Sequence, residues 1–307
     1  MSPLSVLFLS SGDPTLDRRH QWAKALIEEG DAGAAAELLE ETLVRAPGFI
    51  AGWFLLGEAR ALLDERNAAA TAFRRVIALD PGDRLGAGLR LARLGARKVK
   101  HSMSRAYICN LFDQYAGRFE RDLVETLHYN APALLRAGLE ETAGARKFAR
   151  VLDIGCGTGL MGEAIRDRAG ELCGVDISAK MVEMAGRKNL YDRLVVGELL
   201  ESLGNEANPF DLVLAADVFV YFSDLKPVFA AVKERLSPSG LFAFTVETHE
   251  EEGVILRDTL RFAHGTPYLR ATAAEAGLDV PLLKKVSTRH ERNVPVGGLL
   301  AVLRAPE

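Results

Sequence analysis

Cysteine is scarce in this 307-residue chain: there are three, Cys109, Cys156 and Cys173, with no C-x-x-C pair among them. An odd, scattered set excludes a disulfide-stapled scaffold, offers no zinc site and suits a reducing compartment. Long apolar runs are missing too; none reaches the roughly 18 residues a membrane span needs. Charge of one sign is not in excess. Lys and Arg number 38 against 42 Asp and Glu, a net charge of −4, so no general affinity for nucleic acid or anionic membrane follows. The stretch Leu4 to Leu9 is short and lacks both a basic flank and a small-residue cleavage site, so no secretory leader is expected and the localisation expected is cytoplasmic.

What is present is a globular composition, 48% hydrophobic and 26% charged, far from the signature of disorder. The length is twice the ~150 residues of a typical domain, so two domains are expected. The first hundred residues repeat. Pro47 and Pro81 stand 34 positions apart, and that shift superposes Ala35 on Ala69, Leu39 on Phe73 and Ala23 on Gly57. Small residues fall where two helices must approach closely, Trp53 and Phe73 can fill the gap between hairpins, and each proline stops a helix. The pattern Trp53-x-x-Leu56-Gly57…Ala69-x-x-x-Phe73…Pro81 resembles the tetratricopeptide repeat. The first copy keeps Gly30, Ala35 and Pro47 but has Arg19 at the tryptophan position, and Leu85 to Leu94 reads as a capping helix. Fewer than three repeats bury little surface alone, so the array is expected to lean on the second domain. The expected division is a tail over 1–14, helical repeats over 15–97, and a larger domain over 98–307, whose residues 98–145 form a helical linker and cap.

Charge is unevenly spread along this stretch. The first repeat carries Glu28, Glu29, Asp31, Glu37, Glu40 and Glu41, whereas Arg84 to Arg105 contains no acid. The basic run reads as a solvated helix face or as the partner of a nearby acidic surface.

From Tyr107 onward the pattern changes. Ile108, Phe112, Tyr115 and Phe119 share a helical face, and Pro132 to Glu141 reads as a helix. Short apolar strands follow at Phe148–Ile154, Leu172–Asp176, Leu194–Val196, Phe210–Ala216 and Leu241–Val246. Helices are expected between them near Glu163, Val182 and Ala231, and after the fifth strand near Leu256. This alternation predicts a doubly wound, mainly parallel sheet. Val280–Arg289 and Val296–Arg304 read as a closing antiparallel hairpin.

The chemistry begins at Val151-Leu152-Asp153-Ile154-Gly155-Cys156-Gly157-Thr158-Gly159, a buried strand running into G-x-G-x-G and then a helix. Glycines allow a sharp turn and a close ligand at the carboxyl end of the strand. Seventeen residues after Gly159 the second strand ends in Asp176, placed to accept hydrogen bonds from two ribose hydroxyls. The third glycine comes one residue early for a dinucleotide fold. Asp153 just ahead of the turn would repel a pyrophosphate but receive a cationic amino group. The ligand that fits is S-adenosylmethionine.

Residues 105–307 resemble a class I S-adenosylmethionine-dependent methyltransferase, and the whole chain resembles the methyltransferases that carry tetratricopeptide-like repeats. The motifs are Val151–Leu160, Gly174-Val175-Asp176-Ile177-Ser178, Phe210–Asp217 and Leu236-Ser237-Pro238-Ser239-Gly240. The resemblance implies a Rossmann-like α/β domain with a seven-stranded sheet and an antiparallel C-terminal hairpin, preceded by a small all-α repeat domain. It implies that Asp153, Gly155, Cys156, Gly157 and Gly159 line the methionine end, with Ala216 and Asp217 nearby. Asp176 would hold the ribose, Ile177 and Met181 would flank the adenine, and Glu198 would meet its amino group with Leu199 beside it. Phe112-Asp113-Gln114-Tyr115-Ala116-x-x-Phe119 resembles a helix that closes over the cofactor; Tyr115 would reach the methionine end or the substrate and is a candidate catalytic residue, while Phe112 and Phe119 read as packing.

Methyl transfer from a sulfonium needs mainly positioning and exclusion of water. The acceptor pocket is expected beyond the fourth and fifth strands, near Asp217, Tyr221, Glu247, His249 and His264, with the two histidines as candidate bases. The sequence Ala215-Ala216-Asp217-Val218 lacks the (N/D)-P-P-(Y/F) element that holds a planar amine. A small-molecule acceptor is expected, with a protein recruited through the repeats as the alternative; a non-enzymatic scaffold is disfavoured by the intact glycine turn and Asp176. No metal, nucleic acid or membrane partner is expected, and oligomeric state is not legible.

Overall fold

The computed structural model describes residues 9–98, 102–115, 119–121, 123, 127–291 and 293–307. Ala116, the leader-like residues 4–8 and the side chain of Phe119 lie outside that description. The chain divides into two compact units, Met1–Val99 and Lys100–Glu307. Among the described residues no helix is long and apolar enough to cross a membrane.

The first unit is helical: α1 (Pro14–Glu28), α2 (Ala32–Arg45), α3 (Ile50–Leu62), α4 (Arg66–Leu79) and α5 (Ala87–Arg93). Asp13 and Asp31 cap α1 and α2 by accepting backbone N–H groups of Thr15 and Ala34, which satisfies donors a helix start leaves open. Helices α2 and α4 begin at 32 and 66 and end at 45 and 79, so both ends are displaced by 34 residues. The superposed pairs are equivalent in burial: Ala35, Ala69, Leu39, Phe73 and Ala23 are fully buried. Gly57 shows why a small residue is required, since a Cβ there would sit 2.5 Å from Phe73 Cε1. Two residues of the basic run are paired within their own unit, Arg90 with Glu58 (2.8 Å) and Arg84 with Asp80 (3.2 Å); Lys100 lies outside the described residues. On the acidic side Glu41 meets Arg19 and Glu40 meets Arg60.

The second unit opens with α6 (Arg105–Tyr115), a helical turn at Phe119–Arg121 and α7 (Ala131–Ala143). Strands β1 (Phe148–Ile154), β2 (Ala169–Asp176), β3 (Arg193–Val196), β4 (Phe210–Ala215) and β5 (Leu236–Glu247) then alternate with α8 (Leu160–Ile165), α9 (Ala179–Arg187), α10 (Leu199–Gly204) and α11 (Lys226–Arg235). All five strands are parallel, in the order β3-β2-β1-β4-β5. Val151, Ile154, Leu212, Val213, Phe242 and Phe244 are fully buried, the continuous apolar pattern of strands covered on both faces. Phe219, Phe229, Phe242 and Phe244 interlock under one face, with ring centroids 4.7–6.5 Å apart, a spacing that favours offset and edge contacts.

β8 (Asp279–Glu291) and β9 (Val294–Arg304) form the antiparallel hairpin, with β9 against β5. Two departures from the sequence reading stand out. The segment around Leu256 is not a helix but strand β6 (Val254–Leu256), paired with β7 (Phe262–His264), and the helix follows later as α12 (Thr266–Glu275). The Val-Ile-Leu triplet has β-forming residues, and the turn between the strands is closed by Arg257 N donating to Arg261 O (2.9 Å). Among the described residues the sheet therefore has nine strands, not seven, β7 joining at Glu247 opposite Ala263.

Candidate active site

Parallel strands leave their ligand site at their carboxyl ends, and a cavity lies there in the second unit. It holds about 1320 Å³ of atom-free space, its open mouth included. β1 runs into the glycine turn, where Gly155 and Cys156 N–H groups both donate to Val175 O (2.8 and 3.0 Å). Gly155 has φ +69°, and a side chain there would strike the Val218 methyl Cγ2. Glycine is thus required twice over, for the turn and for the approach of β4's end. From β2, Asp176 accepts from Gly157 N (2.9 Å) and Ser178 N (2.8 Å). Burial pushes its carboxyl above the usual carboxylate range against the pull of these amides. Ser178 caps α9 through Met181 N, which fixes Ile177 and Met181 on the wall.

Gly155, Cys156, Gly157, Asp176, Ile177, Met181, Glu198, Leu199, Ala216 and Asp217 all line this cavity. Glu198 has a second task, since its carboxylate caps α10 at Glu201 N (3.0 Å). Asp153 and Gly159 are not lining residues. Asp153 is fully buried behind the turn, where Oδ2 accepts from the Tyr191 hydroxyl (2.7 Å), and Oδ1 has no partner among the described residues. Burial raises its carboxyl to about 7. Tyr191, unremarked in the sequence, fills the space left by Gly162 and Gly174.

Helix α6 roofs the cavity with Arg105, Ile108 and Phe112. Asp113 accepts from Ser178 Oγ (2.7 Å), and its carbonyl accepts from Lys180 Nζ (2.6 Å). Ahead of the helix, Ser102 bridges to Phe222, and Met103 N donates to Tyr221 O (2.9 Å). Phe112 both packs edge-on against Tyr221, centroids 5.6 Å apart, and faces the cavity.

The three expected catalytic side chains are placed elsewhere. Tyr115, on the last turn of α6, is 39% exposed and does not line the cavity. His264 is fully buried in β7, its Nε2 donating to Phe222 O (3.0 Å), and burial lowers it to about 4. His249 Nε2 sits 3.2 Å from Gly253 O in the loop after β5 and is also not a lining residue.

In their place stands an ionic cluster the sequence reading did not foresee. Asp217, at φ +60°, receives Arg289 Nη1 (2.7 Å) and Thr288 Oγ1 (3.3 Å). Arg289, 2% exposed, also meets Glu247 and Glu291. Glu247 is joined by Arg257 (3.3 Å) and Arg261 (3.7 Å), and Arg261 reaches Glu291 (2.8 Å). Arg261, Arg289, Tyr129 and Tyr221 line the cavity beyond Asp217. The available signal was Arg289 within the apolar alternation of β8. Among the described residues no cluster of His, Cys, Asp and Glu could hold a metal.

A strand–glycine turn–helix with an acid ending the next strand, under a sheet of this order, defines a class I S-adenosylmethionine-dependent methyltransferase domain. Residues 152–244 match the family model described as a methyltransferase domain. The chain is 29% identical to a malonyl-[acyl-carrier protein] O-methyltransferase of Enterobacter lignolyticus (strain SCF1), over 52% of this chain and 64% of the relative. It is 26% identical to a ubiquinone biosynthesis O-methyltransferase of Bordetella avium (strain 197N), over 46% of this chain and 66% of the relative. It thus spans less than two thirds of either. Among solved structures, the N-methyltransferase NodS from Bradyrhizobium japonicum WM9, in complex with S-adenosyl-L-homocysteine, matches 65% of this chain and 98% of its own. The TM-score is 0.52 at 17% identity, a likeness of fold.

Proposed function

We propose that residues 98–307 bind S-adenosylmethionine and transfer its methyl group to a small-molecule acceptor. The observation that carries this reading is the convergence, at the carboxyl ends of four adjacent parallel strands, of a glycine cradle, the buried Asp176, Glu198 and Ala216–Asp217 around one cavity. S-adenosylmethionine supplies a methyl carbon already activated by a sulfonium. Asp176 accepts the ribose hydroxyls; Ile177 and Met181 flank the adenine, whose amino group meets Glu198, with Leu199 beside it. The turn Gly155–Gly157 carries the methionine portion. The roof of α6 keeps water out. The names of the two relatives, both O-methyltransferases, support a small oxygen acceptor.

Calorimetric titration with S-adenosylhomocysteine tests the assignment. Asp176→Ala is expected to weaken binding at least about a hundredfold, because a charged hydrogen-bond acceptor for two hydroxyls is lost. Unchanged affinity in a folded variant rejects it.

For residues 15–97 the reading is an array of tetratricopeptide-like hairpins, supported by the 34-residue displacement of α2 and α4. A protein acceptor recruited by this array is the competing reading, favoured by exposed Trp22 and Leu62 on its helices. Deleting residues 1–95 separates the two. Unchanged turnover of a small acceptor leaves the array free for recruitment, whereas lost turnover ties it to the small-molecule reaction.

A further inference from the structure

The acceptor end of the cavity is rich in hydrogen-bond donors and has few acceptors to spare. Tyr129 and Tyr221 turn toward it, and no described residue receives a hydrogen bond from either hydroxyl. Arg261 uses Nη1 on Glu291 and Glu247, which leaves Nε and Nη2 without a partner among the described residues. The carboxylates nearby are already engaged: Asp217 by Arg289 and Thr288, Glu247 by three arginines, Glu291 by two. A bound alcohol, or an amine arriving as ammonium, would need a base for its proton, and the carboxylates in reach are held while His249 and His264 do not line the cavity. A ligand bringing its own negative oxygens would find three donors and need no base.

We propose that the methyl acceptor is a carboxylic acid with an apolar body, held as the carboxylate by Tyr129, Tyr221 and Arg261 and converted to its methyl ester. The inference rests on the methyltransferase reading above and names the substrate class of that site. A lone pair of the carboxylate oxygen forms the bond to the methyl carbon, and the carbon–sulfur bond breaks with its electron pair passing to sulfur. A negative carboxylate and a positive sulfonium become a neutral ester and a neutral thioether, so no proton is taken up or released.

Three further features agree with this. Burial pushes the Tyr129 phenol well above its usual range and Tyr221 up to about 12, so both remain protonated donors near neutrality. The cluster of Asp217, Glu247 and Glu291 with Arg257, Arg261 and Arg289 sums to zero charge, so an arriving anion meets no net repulsion. Ile108, Phe112, Val220 and Phe222 line the same cavity and offer an apolar bed for the rest of the molecule.

The full-length protein, saturated with S-adenosylhomocysteine, is titrated calorimetrically with hexanoate and phenylpropionate and with their primary amides, alcohols and amines. In parallel, the same compounds are incubated with a tritiated methyl donor and the products are treated with alkali. A methyl ester then releases volatile labelled methanol, whereas methyl ethers and N-methyl amines do not. The expected result is binding of the acids alone and alkali-labile label from them. Tyr129→Phe and Tyr221→Phe, which remove one oxygen each, should raise KM for the acid about tenfold with S-adenosylhomocysteine affinity unchanged. Alkali-stable label on an alcohol or amine, no acid bound or methylated, or wild-type KM in both variants would overturn the inference. Failure of S-adenosylhomocysteine itself to bind would instead overturn the methyltransferase reading beneath it.

Discussion

At the residue scale, the second unit keeps two ionisable side chains in places that change what they do. Asp153 is the clearer case, its carboxyl raised by burial to about 7 from 3.8. A raised acid stays protonated in the folded protein while its unfolded counterpart ionises. The fold therefore loses stability as pH climbs from about 4 to about 7, and the loss is constant above that. Asp153→Asn, which keeps an oxygen for the Tyr191 hydroxyl, should flatten this slope and raise stability at pH 8 by on the order of a few kcal/mol. Denaturation midpoints at pH 4, 6 and 8 check it, and parallel curves for variant and wild type would refute it. Arg289 behaves oppositely. Replacing it by Met strands Asp217 without its cation and leaves Glu247 to Arg257 and Arg261 alone, and the expected cost is about 3–5 kcal/mol, read by urea unfolding. Neither environment is written in a local motif. Asp153 was legible as an acid beside a glycine turn, but the tyrosine that claims its oxygen lies 38 residues on.

At the scale of elements, legibility followed periodicity. The five parallel strands were recognisable because each carries a short apolar run bounded by turn residues, and all but the edge strand β3 are largely buried. The β6–β7 hairpin was not, since three-residue strands carry no period and Leu256 lies in a run equally suited to a helix face. The cofactor half of the cavity was legible because its residues follow strand ends in order. In the acceptor half Asp217 and Tyr221 were legible from their place after the fourth strand, but Tyr129, Arg261 and Arg289 come from separate segments, with no spacing to connect them. In the helical unit, spacing was informative again, through Gly57 beneath Phe73. Gly57→Ala gains ~1 kcal/mol of helix propensity but forces a Cβ into the ring, an overpacking cost of about 1–3 kcal/mol. The net expectation is a modest loss of stability, partly recovered by Phe73→Leu in the same background. Denaturant unfolding of the two variants decides it, and a stabilised Gly57→Ala would show that the ring moves aside freely.

At the scale of the whole molecule, near-neutrality proves to be local balance. In the first unit Glu40, Glu41, Arg84 and Arg90 each have a partner of opposite sign, and the Arg289 cluster balances three acids with three arginines. These balances differ in how they meet dissolved ions. A surface pair such as Lys285–Glu250, 70% and 85% exposed, lies within reach of counterions and fades as the Debye length shrinks to ~3 Å in molar salt. Arg289 and Glu247, 2% and 3% exposed, lie beyond that reach. The penalty of Arg289→Met should therefore be the same in dilute buffer and in 1 M sodium chloride, within about 0.5 kcal/mol. The floor of this cavity is thus insulated from ionic strength, whereas Arg261, 30% exposed, is not, so an anion held by Arg261 should loosen in salt while the floor beneath it stays intact.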